Sequence, residues 1–195
     1  MILKIQYHFE VCAMDIKQKC KESYARLENL KLVAEEIGIP WQTVYVHLKA
    51  LGVQVKGNKE KYGSESDKFA TKAEKHFMSL VPEAKDMNND KYQARFDFNI
   101  EGLKVDVKSS RLRRQSKSSN TLRWAFSVTK QESIADFMVC IAYEEDEPKH
   151  YFLLPSEIVK FYSCISVSMK RDGKWWDYEI NPKELRSFFK TAAAA

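Results

Sequence analysis

Three observations predict a mixed α/β chain with a small all-α domain at its N-terminus. Residues 29–52 carry the apolar spacing of two short helices in succession. From Arg95 to Lys108, apolar and polar residues alternate on both sides of Glu101-Gly102, the pattern of a tight hairpin. Phe137 to Tyr143 is a nearly continuous apolar run, short enough for a strand buried on both faces. Together they predict a mixed sheet flanked by helices, preceded by a helical unit.

Length and composition narrow the class. The chain has 195 residues, 44% hydrophobic, enough for one large domain or a medium domain with a small appendage. No apolar run approaches the roughly 18 residues of a membrane span. The opening Met1-Ile-Leu-Lys-Ile is not a secretory signal, so a cytoplasmic protein with no membrane partner is expected. Cys12, Cys20, Cys140 and Cys164 form no Cys-x-x-Cys pair, which argues for reduced thiols over a zinc site. The terminal alanines are set aside from the fold reasoning.

The N-terminal elements come first. An amphipathic helix is expected from about Phe9 to Leu27. Leu30, Val33, Ala34 and Ile37 mark the face of the next, and Gly38 ends it. Ile39 plugs the turn, Pro40 opens another helix, and Val44, Leu48 and Leu51 form its buried stripe. Val53 to Gly57 reads as a wing or as the lead into a linker at residues 58–65. Ala34 four residues before Gly38, with Val44 six residues after it, resembles the helix-turn-helix pattern of DNA-binding proteins. That resemblance makes residues 1–57 a DNA-binding domain and implies that Trp41, Gln42, Thr43, Tyr45 and Lys49 face a major groove.

Residues 66–195 form the second expected domain. Ser64 or Ser66 caps a helix through about Leu80, with Phe69, Ala73, Phe77 and Leu80 as its apolar stripe and Glu74 at the stripe's edge. In the hairpin that follows, Asn99 faces Lys104, Phe98 faces Val105, Asp97 faces Asp106, Phe96 faces Val107 and Arg95 faces Lys108. Phenylalanine and valine collect on one side. Asp97 and Asp106 oppose each other on the other, a pairing that destabilises a ladder unless a divalent cation, which takes oxygen ligands, lies between them. Trp124, Phe126 and Val128 alternate in a strand, Phe137–Tyr143 follows, Glu144–Lys149 is an acidic turn, and Tyr151–Leu154 is another strand. Pro155 starts a helix, while Trp175-Trp176 and Pro182–Phe189 read as a peripheral elaboration.

Charge is unevenly distributed. The formal net charge is only +5, yet no acidic residue stands between Val107 and Gln131. Lys108, Arg111, Arg113, Arg114, Lys117, Arg123 and Lys130 all lie there. Ser109–Asn120 has no core-forming period and reads as a basic loop, in which Arg111, Arg113, Arg114 and Lys117 are placed to meet phosphates.

Asp97 followed by Asp106-Val107-Lys108 on the next strand resembles the active-site signature of the PD-(D/E)XK nuclease superfamily, and the element order over residues 66 to about 160 is similar to its core. The usual proline before the first aspartate is replaced by Phe96. The resemblance implies a restriction-endonuclease-like mixed sheet and Mg²⁺-dependent hydrolysis of double-stranded DNA, with Mn²⁺ able to substitute. Asp97, Asp106 and the Val107 carbonyl would hold the metal, Lys108 would stand beside the water and phosphate, and Glu74 would hold a metal-bound water. Lys130 or Gln131 would lie near the same site. A site-specific homing or restriction-type enzyme fits the appended helix-turn-helix better than a junction resolvase does, and cutting both strands implies a homodimer. A DNA-binding regulator on an inactive nuclease fold and a protein–protein module are the competing classes.

Overall fold

The computed structural model of the chain describes residues 16–88, 95–114, 120–128 and 134–194. They divide into two compact units between Ser64 and Glu65.

The first unit is helical. Helix α1 covers residues 16–27, α2 spans Leu30–Ile37, α3 Trp41–Ala50 and α4 Lys59–Tyr62. Asn29 caps α2 by accepting the Lys31 and Leu32 N–H groups at 2.9 and 3.2 Å. Gly38 ends it at φ +76°, a left-handed conformation that costs an L side chain roughly 1–2 kcal/mol. Its N–H bonds to the Ala34 carbonyl at 2.8 Å. The core is Cys20, Tyr24, Val33, Val44 and Leu48, with Ile39 packed against it. Leu51, expected inside, is 39% exposed. It lies past the end of α3, where the helical stripe stops applying, and Val53 and Val55 pack on the core in its neighbourhood.

Residues 53–58 form no strand, so no wing is present. The Tyr24 hydroxyl donates to the Lys56 carbonyl at 2.8 Å and accepts its N–H at 3.0 Å. The segment expected to be a linker is folded. Asn58 Nδ2 donates to Glu28 at 2.6 Å and the Tyr62 hydroxyl to the Leu27 carbonyl at 2.8 Å, which fastens α4 to the first unit.

The second unit is mixed α/β. Helix α5 spans Glu65–Leu80, and the strands are β1 (Lys85–Asp86), β2 (Phe98–Ile100), β3 (Leu103–Arg111), β4 (Arg113–Arg114), β5 (Leu122–Ser127), β6 (Phe137–Glu144), β7 (Glu147–Pro155) and β8 (Cys164–Ser168). Helices α6 (Ser156–Val159) and α7 (Pro182–Ala193) complete it, with a 3₁₀ turn at Lys174–Tyr178. Five strands form one sheet in the order β1-β2-β3-β6-β7, with β3 and β6 parallel and the other pairs antiparallel. The β2–β3 hairpin turns at Glu101 (φ +50°) and Gly102 (φ +100°), and Asn99 Oδ1 accepts the Gly102 N–H at 3.0 Å. The register is Phe98↔Val105, Asn99↔Lys104 and Ile100↔Leu103.

Each face of the central sheet has its own core. Val105, Val107, Val139, Ile141 and Tyr143 pack against Ala73 and Phe77 of α5 and Leu185 and Phe189 of α7. Fully burying each of these phenylalanines is worth roughly 1.5–3 kcal/mol. The C-terminal helix is therefore part of the main core and not the peripheral elaboration expected. Its Leu185, Phe188 and Phe189 form an apolar face that fills the space beside α5. On the other face, Met138, Cys140 and Ala142 meet Trp124, Phe126, Ile165 and Val167 of a second, three-stranded sheet, β4-β5-β8, together with Trp175.

That second sheet overturns the basic-loop expectation for much of Ser109–Asn120. Ser109–Arg111 continue β3, and Arg113–Arg114 pair with Arg123 and Leu122. The buried Ser110 hydroxyl accepts the Ala125 N–H at 2.9 Å, and Leu112 N–H reaches the Tyr143 carbonyl at 2.9 Å. Hydrogen bonding and one half-buried leucine, Leu112, thus order a polar segment that lacks an apolar period. The acidic turn is also shorter than expected: Glu144 pairs with Glu147 across Glu145-Asp146, and Glu147–Lys149 belong to β7. No helix among the described residues is long and apolar enough to cross a membrane.

Glu83 ties the end of α5 to α7. Arg186 Nη2 and Nε lie 2.6 and 2.9 Å from its carboxylate, and Lys190 lies 3.1 Å away. The Arg186 hydrogen bond, foremost, holds the Glu83 pKa down at about 2. A depressed carboxylate pKa adds stability that is present above the unfolded value of 4.5 and lost as pH falls towards 2. The Tm deficit of Glu83→Gln is therefore expected to be largest above pH 4.5 and to shrink between 4.5 and 2 in calorimetric scans.

Candidate functional site

The β2–β3 hairpin brings Asp97, Asp106 and Lys108 together. The ladder stops at Phe98, so the directly opposed pairs expected at Asp97, Phe96 and Arg95 are not part of it. Asp97 takes over in their place. Its N–H donates to the Val105 carbonyl at 3.1 Å, and its Oδ2 accepts the Val107 N–H at 2.8 Å. The side chain closes the ladder where the main chain leaves it, which pins the Asp97 carboxylate against β3.

Asp106 stands next to it, fully buried. Side chains alternate along β3, so Asp106 and Lys108 point away from the α5 layer, in rows with Met138 and Cys140 of β6. Lys108 Nζ lies 2.7 Å from Asp106 Oδ2, an ion-pair distance, and Asp97 is the other charged neighbour of the Asp106 carboxyl. The lysine side chain remains 22% exposed, so the group opens to solvent on that side. Burial, and then the neighbouring Asp97 charge, push the Asp106 carboxyl far above its usual range, against the pull of Lys108. Burial likewise pushes the Cys140 thiol up, leaving it protonated at neutral pH.

Two carboxyl groups and one ammonium meet at a buried point, and ionising both carboxyls leaves a net negative charge there. The donor set fits a hard divalent cation, because Mg²⁺ is commonly held by one or two carboxylates and completes its shell with water and phosphate. Asp97 and Asp106 would hold it, with the Val107 carbonyl on the strand between Asp106 and Lys108. No three His, Cys, Asp or Glu side chains among the described residues gather into one metal-holding group. Glu74 is half-buried on α5, the helix that covers the opposite face of β3. The charges that set the state of Asp106 are those of Asp97 and Lys108.

The three arginines of the basic stretch occupy three environments. Arg111 stacks on Phe69 at 3.9 Å and donates to Asp146 at 3.1 Å. Arg113 lies directly opposite Arg123, and Arg114 opposite Leu122, so Arg113 and Arg114 point to opposite faces of the second sheet. Sequence reasoning does not single out Arg123 as a ligand-binding residue. The available signal is an arginine between Leu122 and Trp124, in a strand-like alternation inside the acid-free stretch. Lys117, Lys130 and Gln131 lie outside the described residues. In the first unit, α3 exposes Trp41 (44%), Tyr45 (41%), Gln42 and Lys49 to solvent, while Thr43 is half-buried.

No protein-family model matches this chain, and no curated protein is significantly similar to it.

The Asp106 carboxyl is held well above its ordinary pKa of 3.8, so at neutral pH its ionisation favours the unfolded chain, and Asn removes that penalty while Asp97 stays balanced by Lys108. In EDTA at pH 7, Asp106→Asn is expected to unfold a few degrees above wild type, corresponding to about 1 kcal/mol or more. Millimolar Mg²⁺ or Ca²⁺ is expected to raise the wild-type Tm and leave that of the variant unchanged.

Proposed function

We propose that the chain is a Mg²⁺-dependent endonuclease of the PD-(D/E)XK type that hydrolyses phosphodiester bonds in double-stranded DNA at sites selected by its N-terminal helical unit. The observation that supports this most is Asp106: a fully buried carboxyl group beside a second one, Asp97, with the Lys108 ammonium 2.7 Å away. Two carboxyl groups side by side at a buried point repel each other when ionised, and a divalent cation would remove that repulsion. A divalent cation held there supplies polarisation of the scissile phosphate and a lowered pKa for attacking water.

The residues divide the remaining work. Asp97 and Asp106 bind and orient. The Val107 N–H fixes Asp97, and α5 and α7 support β3 from behind. Lys108 reaches solvent and so can touch both the attacking water and the phosphate. Recognition falls to α3, whose exposed Trp41, Gln42, Tyr45 and Lys49 make one polar-aromatic face suited to a major groove. The Gly38-Ile39-Pro40 turn between α2 and α3 supports the helix-turn-helix reading. Cutting both strands calls for two such sites, hence a homodimer.

Supercoiled plasmid incubated with the protein is expected to be nicked or linearised with Mg²⁺ or Mn²⁺, to stay intact in EDTA, and to be bound without cutting in Ca²⁺. Asp106→Ala is expected to abolish cutting while binding and fold persist. Full cleavage by that variant would refute the site, and binding without cleavage by wild type would favour a regulator on an inactive nuclease fold. Gln42→Ala with Thr43→Ala is expected to relax target choice, weakening binding by about 1–3 kcal/mol for each bidentate hydrogen-bond pair to a base that is removed. An unchanged consensus in binding-site selection would remove α3 as the reader.

A further inference from the structure

The second sheet has an outer face turned away from the core. Trp124 and Phe126 point inward, so Arg123 and Ala125, which alternate with them along β5, point outward. Across the ladder Arg113 faces Arg123, and Arg123 faces Ser168. The rest of this face is small, with Ala125 opposite Ser166. Like charges directly opposite on neighbouring strands destabilise a sheet, and a scaffold offsets them with a carboxylate. The neighbouring arginines show that pattern: Arg111 is paired with Asp146, and Arg171 with Glu179. Arg113 and Arg123 have no hydrogen-bond, ion-pair or ring partner among the described residues.

We infer that Arg113 and Arg123 form a two-arginine clamp for a backbone phosphate of the nucleic acid. The inference rests on the nuclease reading given above. Directly opposed residues hold their Cβ atoms about 4.5–5.5 Å apart, so two guanidinium forks can converge on one phosphate. Planar forks match phosphate oxygens in a way that a lysine ammonium does not. The small side chains beside them let a sugar-phosphate chain approach closely. Arg113 stands five positions after Lys108, so their Cα atoms are at most roughly 17 Å apart along an extended chain. Arg111 takes no part, because Phe69 and Asp146 hold it on the other side of β3.

The test is fluorescence anisotropy in EDTA with a short labelled duplex, titrated across a salt series, with thermal unfolding of every variant as the control for folding. The double variant Arg113→Gln with Arg123→Gln is expected to lower the slope of log affinity against log salt by about 0.9, one phosphate's worth and not two. Affinity falls several-fold and equally on unrelated sequences. Arg123→Lys keeps the slope and still loses affinity, since charge survives and the fork does not; it also serves if the double variant fails to fold. Arg111→Gln leaves the slope unchanged. An unchanged slope in the double variant, or a loss confined to one DNA sequence, would overturn the clamp while leaving the nuclease reading standing. If wild type binds no duplex, the nuclease reading fails and tripolyphosphate becomes the probe. Binding of tripolyphosphate by wild type and not by the double variant would retain the anion clamp, and no binding by either would overturn it.

Discussion

The burial of the Asp106 carboxylate is the constraint around which the second unit is arranged. The side chain is fully buried, and the charges beside it are another carboxyl group and one lysine. A position of that kind persists only if the surrounding structure imposes it. Here the imposing elements are strong: β3 lies between β2 and β6 at the centre of the sheet, with α5 and α7 filling one face and the second sheet covering the other. Stability supplied by two apolar layers offsets the electrostatic cost at one point. That local conflict between burial and neighbouring like charge is what makes the point a candidate for chemistry.

The same two-layer construction sorts the basic residues. A run of arginines reads as one feature in sequence, yet the pleat sends successive residues to opposite faces, and the bend after Arg111 moves the chain from one sheet to the other. Arg111 becomes a structural residue stacked on an aromatic ring. Arg113 becomes the partner of a residue ten positions away, on the outer face of the second sheet. A single stretch of composition thus contributes a packed arginine at one residue and an arginine on an outer sheet face two residues later.

The features legible in the sequence are those with a local cause. The α2–Gly38–α3 sequence, the α5 stripe, the register of the Phe98–Val105 hairpin and the buried β6 strand all follow from periodicity and turn chemistry over a few residues. So does the meeting of Asp97, Asp106 and Lys108, because hairpin register follows from the turn. What is not legible depends on distant partners. The strands β1 and β4 have two residues each and exist only because β2 and β5 pair with them. Arg113 opposite Arg123 needs the second sheet, and β8 alternates Ile165 and Val167 with serines as a strand does, yet nothing local names β5, about forty residues upstream, as its partner. The contacts of Asn58 with Glu28 and of Tyr62 with Leu27, which turn an expected linker into part of the first unit, are long-range side-chain hydrogen bonds. The early end of the β2–β3 ladder arises because a side chain, Asp97, outcompetes the main chain for the Val107 N–H.

Hydrolysis of a phosphodiester bond by the Asp97–Asp106–Lys108 group is tested most directly by a single-turnover reaction on closed circular duplex DNA. The reaction is run in ¹⁸O-enriched water with Mg²⁺, followed by mass spectrometry of the phosphate at the new ends. One ¹⁸O atom is predicted in each new terminal phosphate with the wild-type protein, and no new ends with Asp97→Asn. DNA left intact by the wild-type protein, or ends formed equally well by Asp97→Asn, would contradict it.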